Sequence, residues 1–119
     1  LRGLHRFRPH EKLRSSPEYQ RVKATGRRVG TRHFTINFVI NGHDHHRLGL
    51  VVQKRFWSAV GRNRIKRCLR EWFRMNRDSI PLPGKDIVIV ARPGSERLSP
   101  QEMTKEILVV FLEQDGRSS

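Results

Sequence analysis

Between Lys54 and Arg77 runs the segment KRFWSAVGRNRIKRCLREWFRMNR, in which cations recur every three or four residues. Arg62, Lys66, Arg70 and Arg74 stand at i,i+4 intervals. Like charges at that spacing cost a helix a few tenths of a kcal/mol per pair. Within the helix body only Glu71 offsets them before Asp78. Repulsion left standing inside the chain points to cancellation by a polyanion. Arginine outnumbers lysine here, which suits bidentate phosphate contacts and stacking on bases. On a wheel turning ~100° per residue, Ile65, Cys68, Leu69 and Trp72 share one sector. Lys66, Arg67, Arg70, Arg74 and Arg77 fall opposite, and Arg62 and Arg64 flank the apolar stripe. One face anchors the helix; the other offers cations about one turn, ~5.4 Å, apart.

Other chemistry-bearing residues carry less. His43, Asp44, His45 and His46 look like metal ligands, but they stand in a connecting loop, where polar residues are ordinary and rigidity is poor. A structural zinc site needs four well-placed donors, so no metal is expected on this chain. Glu11, Glu18, Asp44, Glu71 and Asp86 are scattered over separate elements, with no pair spaced for acid–base hydrolysis and no serine–histidine–aspartate logic. Pro93-Gly94-Ser95 reads as a turn without phosphate-loop spacing. The single cysteine, Cys68, excludes an internal disulfide and sits at helical spacing among apolar residues, which marks a packing role.

The elements that must position the basic helix follow from period and punctuation. The first fourteen residues carry Arg2, His5, Arg6, Arg8, His10, Lys12 and Arg14 with almost no apolar pattern. They read as an extended, mobile basic arm (1–14) ahead of one domain over 15–116. Ser15 and Glu18 have capping-box spacing with Pro17 just inside, and Gly26 stops the turn, which predicts a helix over about 16–24. Phe34, Ile36, Phe38 and Ile40 then alternate with His33, Thr35, Asn37 and Val39, as in a half-buried strand. After Asn41-Gly42, a strong turn signal, Leu48, Leu50 and Val52 alternate with Arg47, Gly49, Val51 and Gln53. These two strands are expected to pair as an antiparallel hairpin. Ser58 opens the long helix over 58–77, which Pro81 and Pro83 close. Ile87 to Ala91 form a nearly continuous apolar run, the mark of a strand inside a sheet. Ser99 to Glu102 form a second capping box, opening a helix that turns Met103, Ile107, Val110 and Phe111 inward. The expected class is α+β, a small antiparallel or mixed sheet with three helices.

Composition agrees with the charge pattern. The chain's 119 residues suit one domain, and 25 lysines and arginines against 11 acidic residues give a formal net charge of +14. Nucleic acid is the first candidate partner; a membrane is not expected, since no apolar stretch is long enough to cross one. The opening residues LRGLHRFRPH are too basic and broken for a signal peptide, so a cytoplasmic setting is expected.

The segment GRNRIKRCLREWFR resembles the RNR signature of the bacterial ribonuclease P protein family. So do the basic arm, the helix bearing Tyr19, FTINFVI, RLGLVVQK and IVIVAR around it. The resemblance implies a fold similar to domain 2 of ribosomal protein S5, with a left-handed crossover against the general rule. It implies removal of the 5′ leader from precursor tRNA by a holoenzyme of one protein per RNA. The RNA subunit would hold the catalytic Mg²⁺, and no residue of this chain would be catalytic. Arg62, Asn63, Arg64, Lys66, Arg67 and Arg70 match the motif and would contact the ribonuclease P RNA, with Arg74 continuing the row. Tyr19 matches an aromatic of the leader-binding cleft, between the first helix and the sheet. Thr35, Asn37, Val51 and Gln53 would line that cleft, with Lys54, Arg55 and Arg92 at its edge. Two positions depart from the pattern: Lys23 and Asn37 stand where the family often has aromatics, which shifts leader binding toward charge and hydrogen bonds. The residues alone leave open a ribosomal or ribosome-assembly protein and a DNA-binding protein, and they also allow Tyr19 to be buried against the sheet.

Overall fold

The computed structural model describes residues 8–117, with side chains through Leu112. The rest of the predicted basic arm, 1–7, lies outside the described residues. Three helices, α1 (Ser16–Thr25), α2 (Ala59–Asn76) and α3 (Pro100–Arg117), combine with four strands. The strands are β1 (Arg27–Gly30), β2 (Phe34–Ile40), β3 (Arg47–Val51) and β4 (Lys85–Ala91). The sheet order is β1-β2-β4-β3, so the α+β mixed sheet expected from the sequence is present.

The helix ends obey their local chemistry. The Ser15 hydroxyl accepts from the Glu18 N–H at 3.3 Å while the Glu18 carboxylate accepts from the Ser15 N–H at 3.0 Å, a closed capping box worth about 1 kcal/mol. Ser58 caps α2 by accepting from the Gly61 N–H at 3.2 Å. Ser99 and Glu102 repeat the reciprocal pattern at α3.

The expected β2–β3 hairpin is not formed. β2 pairs antiparallel with β4, and β3 pairs parallel with β4, which therefore lies between them. A strand apolar on both faces gains most where both faces are covered, and Ile87, Val88 and Ile89 are wholly buried. The six-residue loop 41–46 is long enough to admit it. Asn41 donates to the Asp86 carboxylate at 2.8 Å and to the His45 carbonyl at 3.2 Å. A Cβ on Gly84 would lie 2.4 Å from the His43 carbonyl and 2.5 Å from that of His45, so only glycine lets β4 enter there. β1 carries no strand signal: four residues, two of them arginines, give no period to read.

Alternation divides the sheet. Phe34, Ile36, Phe38, Ile87, Ile89 and Ala91 face α2 and α3, where Ile65, Leu69, Trp72, Phe73, Met103, Ile107, Val110 and Phe111 complete the main core. Cys68 packs at its margin. Val88, Val22 and Leu13 form a smaller core on the opposite face, with Tyr19, Val39, Val51 and Val90 against it. α1 thus covers only part of that face.

Residues 8–14 are not loose. Leu13 is buried and its N–H donates to the Leu48 carbonyl at 3.0 Å along the open edge of β3. Glu11, also buried, accepts from Arg77 at 2.8 Å. The wheel turned Arg77 toward solvent. Instead the chain passes into a short 3₁₀ turn at Arg77–Ser79, and a buried carboxylate draws the guanidinium inward.

Candidate RNA-binding surfaces

α2 presents the predicted row, but not every cation in it is free. Asn63, Arg67 and Arg70 are exposed, and Arg62 and Lys66 half-buried; none of these four cations meets a carboxylate among the described residues. Arg74 does: it is bridged to Glu71 one turn back, with Nε donating at 3.1 Å, and that bond holds its guanidinium more firmly protonated. Arg64 is committed elsewhere, donating to the Glu96 and Leu98 carbonyls at 3.1 and 3.3 Å. The same connection receives Trp57, whose Nε1–H donates to Glu96 at 2.9 Å. That bond lowers the Glu96 pKa below the usual carboxylate range. Arg64 therefore fastens α2 to the segment before α3, while Arg62, Lys66, Arg67 and Arg70 form the open cationic face.

The second surface lies on the α1 side of the sheet. In register, Thr35 stands opposite Val90, and Val90 beside Val51, giving a half-buried floor three strands wide. His33, Arg92 and Gln53 follow by alternation on the same face, and Arg92 donates to the Thr31 carbonyl at 2.9 Å. The preceding row holds Asn37, Val88 and Gly49. α1 forms the wall: Arg14, Ser15, Ser16, Tyr19, Gln20, Lys23 and Val51 enclose one depression. The predicted residues Tyr19, Lys23, Thr35, Asn37, Val51, Gln53 and Arg92 are thus on one face. Lys54 and Arg55 lie just past it in the exposed β3–α2 connection, where the Arg55 guanidinium sits 4.7 Å from the Phe56 ring centroid.

Tyr19 is half-buried. Its hydroxyl accepts from the Leu50 N–H at 3.1 Å, satisfying an edge donor of β3, and its ring lies over Gly49. A Cβ there would approach the ring to 2.6 Å. On its other side Tyr19 helps line a second hollow, with Lys12, Leu13, Leu48, Leu50, Lys66 and Arg70. One phenol therefore separates the cleft from the cations of α2.

A charge network that no sequence pattern announces sets the position of α1. Asp86 is buried at the start of β4 and receives both Arg47 Nε at 2.8 Å and Arg47 Nη2 at 2.7 Å. Burial pushes its pKa up, but these bonds and that from Asn41 outweigh it, and the carboxyl lies below its ordinary range. Arg47 also donates to Glu18 at 3.2 Å, tying the first turn of α1 to the sheet. Backbone bonds from Arg14 and Ser15 hold Glu18 ionised below the usual range.

The histidine loop does not gather a metal set: no three His, Cys, Asp or Glu side chains converge among the described residues. His46 is buried, donating from Nε2 to the Ile80 carbonyl at 2.9 Å and accepting the Lys85 N–H at Nδ1 at 3.0 Å. These partners fix a neutral tautomer, and burial lowers its pKa. No helix among the described residues is long and apolar enough to cross a membrane.

A family model described as Ribonuclease P matches residues 7–114. The ribonuclease P protein component of Syntrophobacter fumaroxidans is 66% identical over 117 residues, covering 98% of each chain. Among solved structures, the RNase P protein of Thermotoga maritima superposes with a TM-score of 0.78 at 32% identity, covering 87% of this chain and 96% of that one. The RNase P protein of Staphylococcus aureus gives 0.75 at 31% identity, covering 88% and 94%.

Proposed function

This chain belongs to the ribonuclease P protein family, which serves in removing the 5′ leader of precursor tRNA, and we propose that it does so by gripping two RNAs at once. The exposed face of α2 binds the ribonuclease P RNA through Arg62, Asn63, Lys66, Arg67 and Arg70. The cleft beside α1 binds the leader. The observation that carries this reading is Tyr19, which lines the hollow shared with Lys66 and Arg70 and also the depression shared with Lys23 and Val51. A leader base stacked at that phenol gains about 1–3 kcal/mol, and it does so within reach of the RNA subunit's own contacts.

Among the described residues the acidic donors are engaged or scattered, which supports a catalytic metal held outside them. Asp86 and Glu11 are spent on Arg47 and Arg77, and no converging set replaces them among the described residues. In this reading the RNA subunit holds the catalytic Mg²⁺, and this chain supplies binding and charge neutralisation. One protein per RNA, in the cytoplasm, is the assembly proposed. Reconstitution with the cognate RNA tests it: cleavage of precursor tRNA should proceed at lower Mg²⁺ with the protein than without. Cleavage by the protein alone would overturn the division of labour.

A further inference from the structure

The sheet ends, away from β3, in a basic edge that the two surfaces above do not use. β1 is the outermost strand, and its Arg27 and Arg28 are exposed, as is Arg32 in the turn that follows. None of the three meets a carboxylate among the described residues. Arg47, Arg74 and Arg77 each do; Glu106, which reaches this turn, is engaged by Thr31 and His33 on either side of Arg32.

Register places one of these arginines on the cleft side. Arg28 stands opposite Asn37, and Gly30 opposite Thr35, so Arg28 emerges on the face that α1 only partly covers. Asn37, on the neighbouring strand, is 4% exposed. At Gly30 a Cβ would meet nothing within 4 Å, so no wall closes the floor at this end. Three interstrand spacings of about 4.8 Å separate β3 from β1, roughly 14 Å in all, a span that an extended strand of nucleic acid crosses readily.

We propose that single-stranded RNA leaving the cleft continues over β1, with its phosphates held by Arg28 and Arg32. The inference rests on the reading that the cleft takes the leader. Since the α2 cations flank the Tyr19 end, nucleotides near the scissile bond sit there and those farther upstream reach β1.

The test uses the reconstituted holoenzyme and precursor tRNAs whose leaders lengthen one nucleotide at a time. Wild-type affinity should rise with leader length and then level off. The Arg28→Gln/Arg32→Gln double variant should level off at a shorter leader and bind the longest leaders about tenfold more weakly, with the shortest unchanged. Its salt slope on long leaders should fall by about 1.4, from ~0.7 per single-strand phosphate. A variant that follows wild type at every length and salt overturns the β1 track while leaving the cleft reading intact. Wild-type binding that ignores leader length overturns both.

Discussion

Replacing Arg67 and Arg70 together by alanine separates open cations from those the protein already neutralises. Both are exposed and neither meets a carboxylate among the described residues, so each is available to a phosphate. Each lost contact removes roughly 0.7–0.9 from the slope of log affinity against log salt; the pair should lower it by about 1.6. Between 50 and 200 mM salt, a fourfold rise, wild type should therefore lose about ninefold more affinity for the RNA subunit than the double variant. Arg74→Ala is the internal comparison. Its guanidinium is bridged to Glu71, so binding a phosphate means giving up that bond, and the slope should change by well under half a unit. Titration of labelled RNA at four or five salt concentrations reads all three proteins. Thermal melts should agree closely, since surface changes of this kind usually shift stability by no more than about 0.5 kcal/mol. An unchanged slope in the double variant would remove those arginines from the interface, and an equal fall in Arg74→Ala would show that Glu71 does not hold its partner back.

Three further outcomes follow from the packing. Asp86→Asn should destabilise the fold by about 3 kcal/mol in urea melts, because half-buried Arg47 loses its bidentate carboxylate and keeps only Glu18; in wild type the Asp86 contribution is complete above its ordinary 3.8 and fades as pH falls through its lowered folded value. Gly49→Ala should cost about 1–3 kcal/mol by overpacking against Tyr19, and in a Tyr19→Ala background most of that cost should vanish, a coupling read by a double-mutant cycle. For His46, burial holds the folded pKa below 6.5, so the unfolded chain takes up more protons below that pH. Stability should fall as pH drops through about 6.5, and His46→Gln should flatten that part of the profile; an unaltered profile would count against a buried neutral ring.

What could be read in the sequence was what periodicity and capping carry. Ser15, Ser58 and Ser99 placed three helix starts, alternation placed β2 and β3, and three- and four-residue spacing set the facing of α3. The run from Ile87 to Ala91 signalled a strand deep in a sheet, but not which strands it would separate. Asn41-Gly42 looks local, whereas the pairing of Asn41 with Asp86 spans 45 residues and leaves no local trace. For the same reason the wheel misjudged Arg77: its partner Glu11 lies 66 residues away. The family resemblance supplied candidate residues for both RNA surfaces, and the structure gathers most of them onto two faces. The commitment of Arg64 to backbone carbonyls and the basic edge at β1 depend on three-dimensional neighbours that no spacing encodes.

The insertion of β4 between β2 and β3 has a consequence for how the protein comes into being. Both β2 and β3 wait for a segment that emerges from synthesis some forty residues later, and only then does the floor of the proposed cleft exist. Sheets closed by such distant pairings assemble slowly, and until closure two strand edges stand bare. A chain stopped before Lys85 would still carry the full basic helix, with nothing to hold it at the angle binding requires.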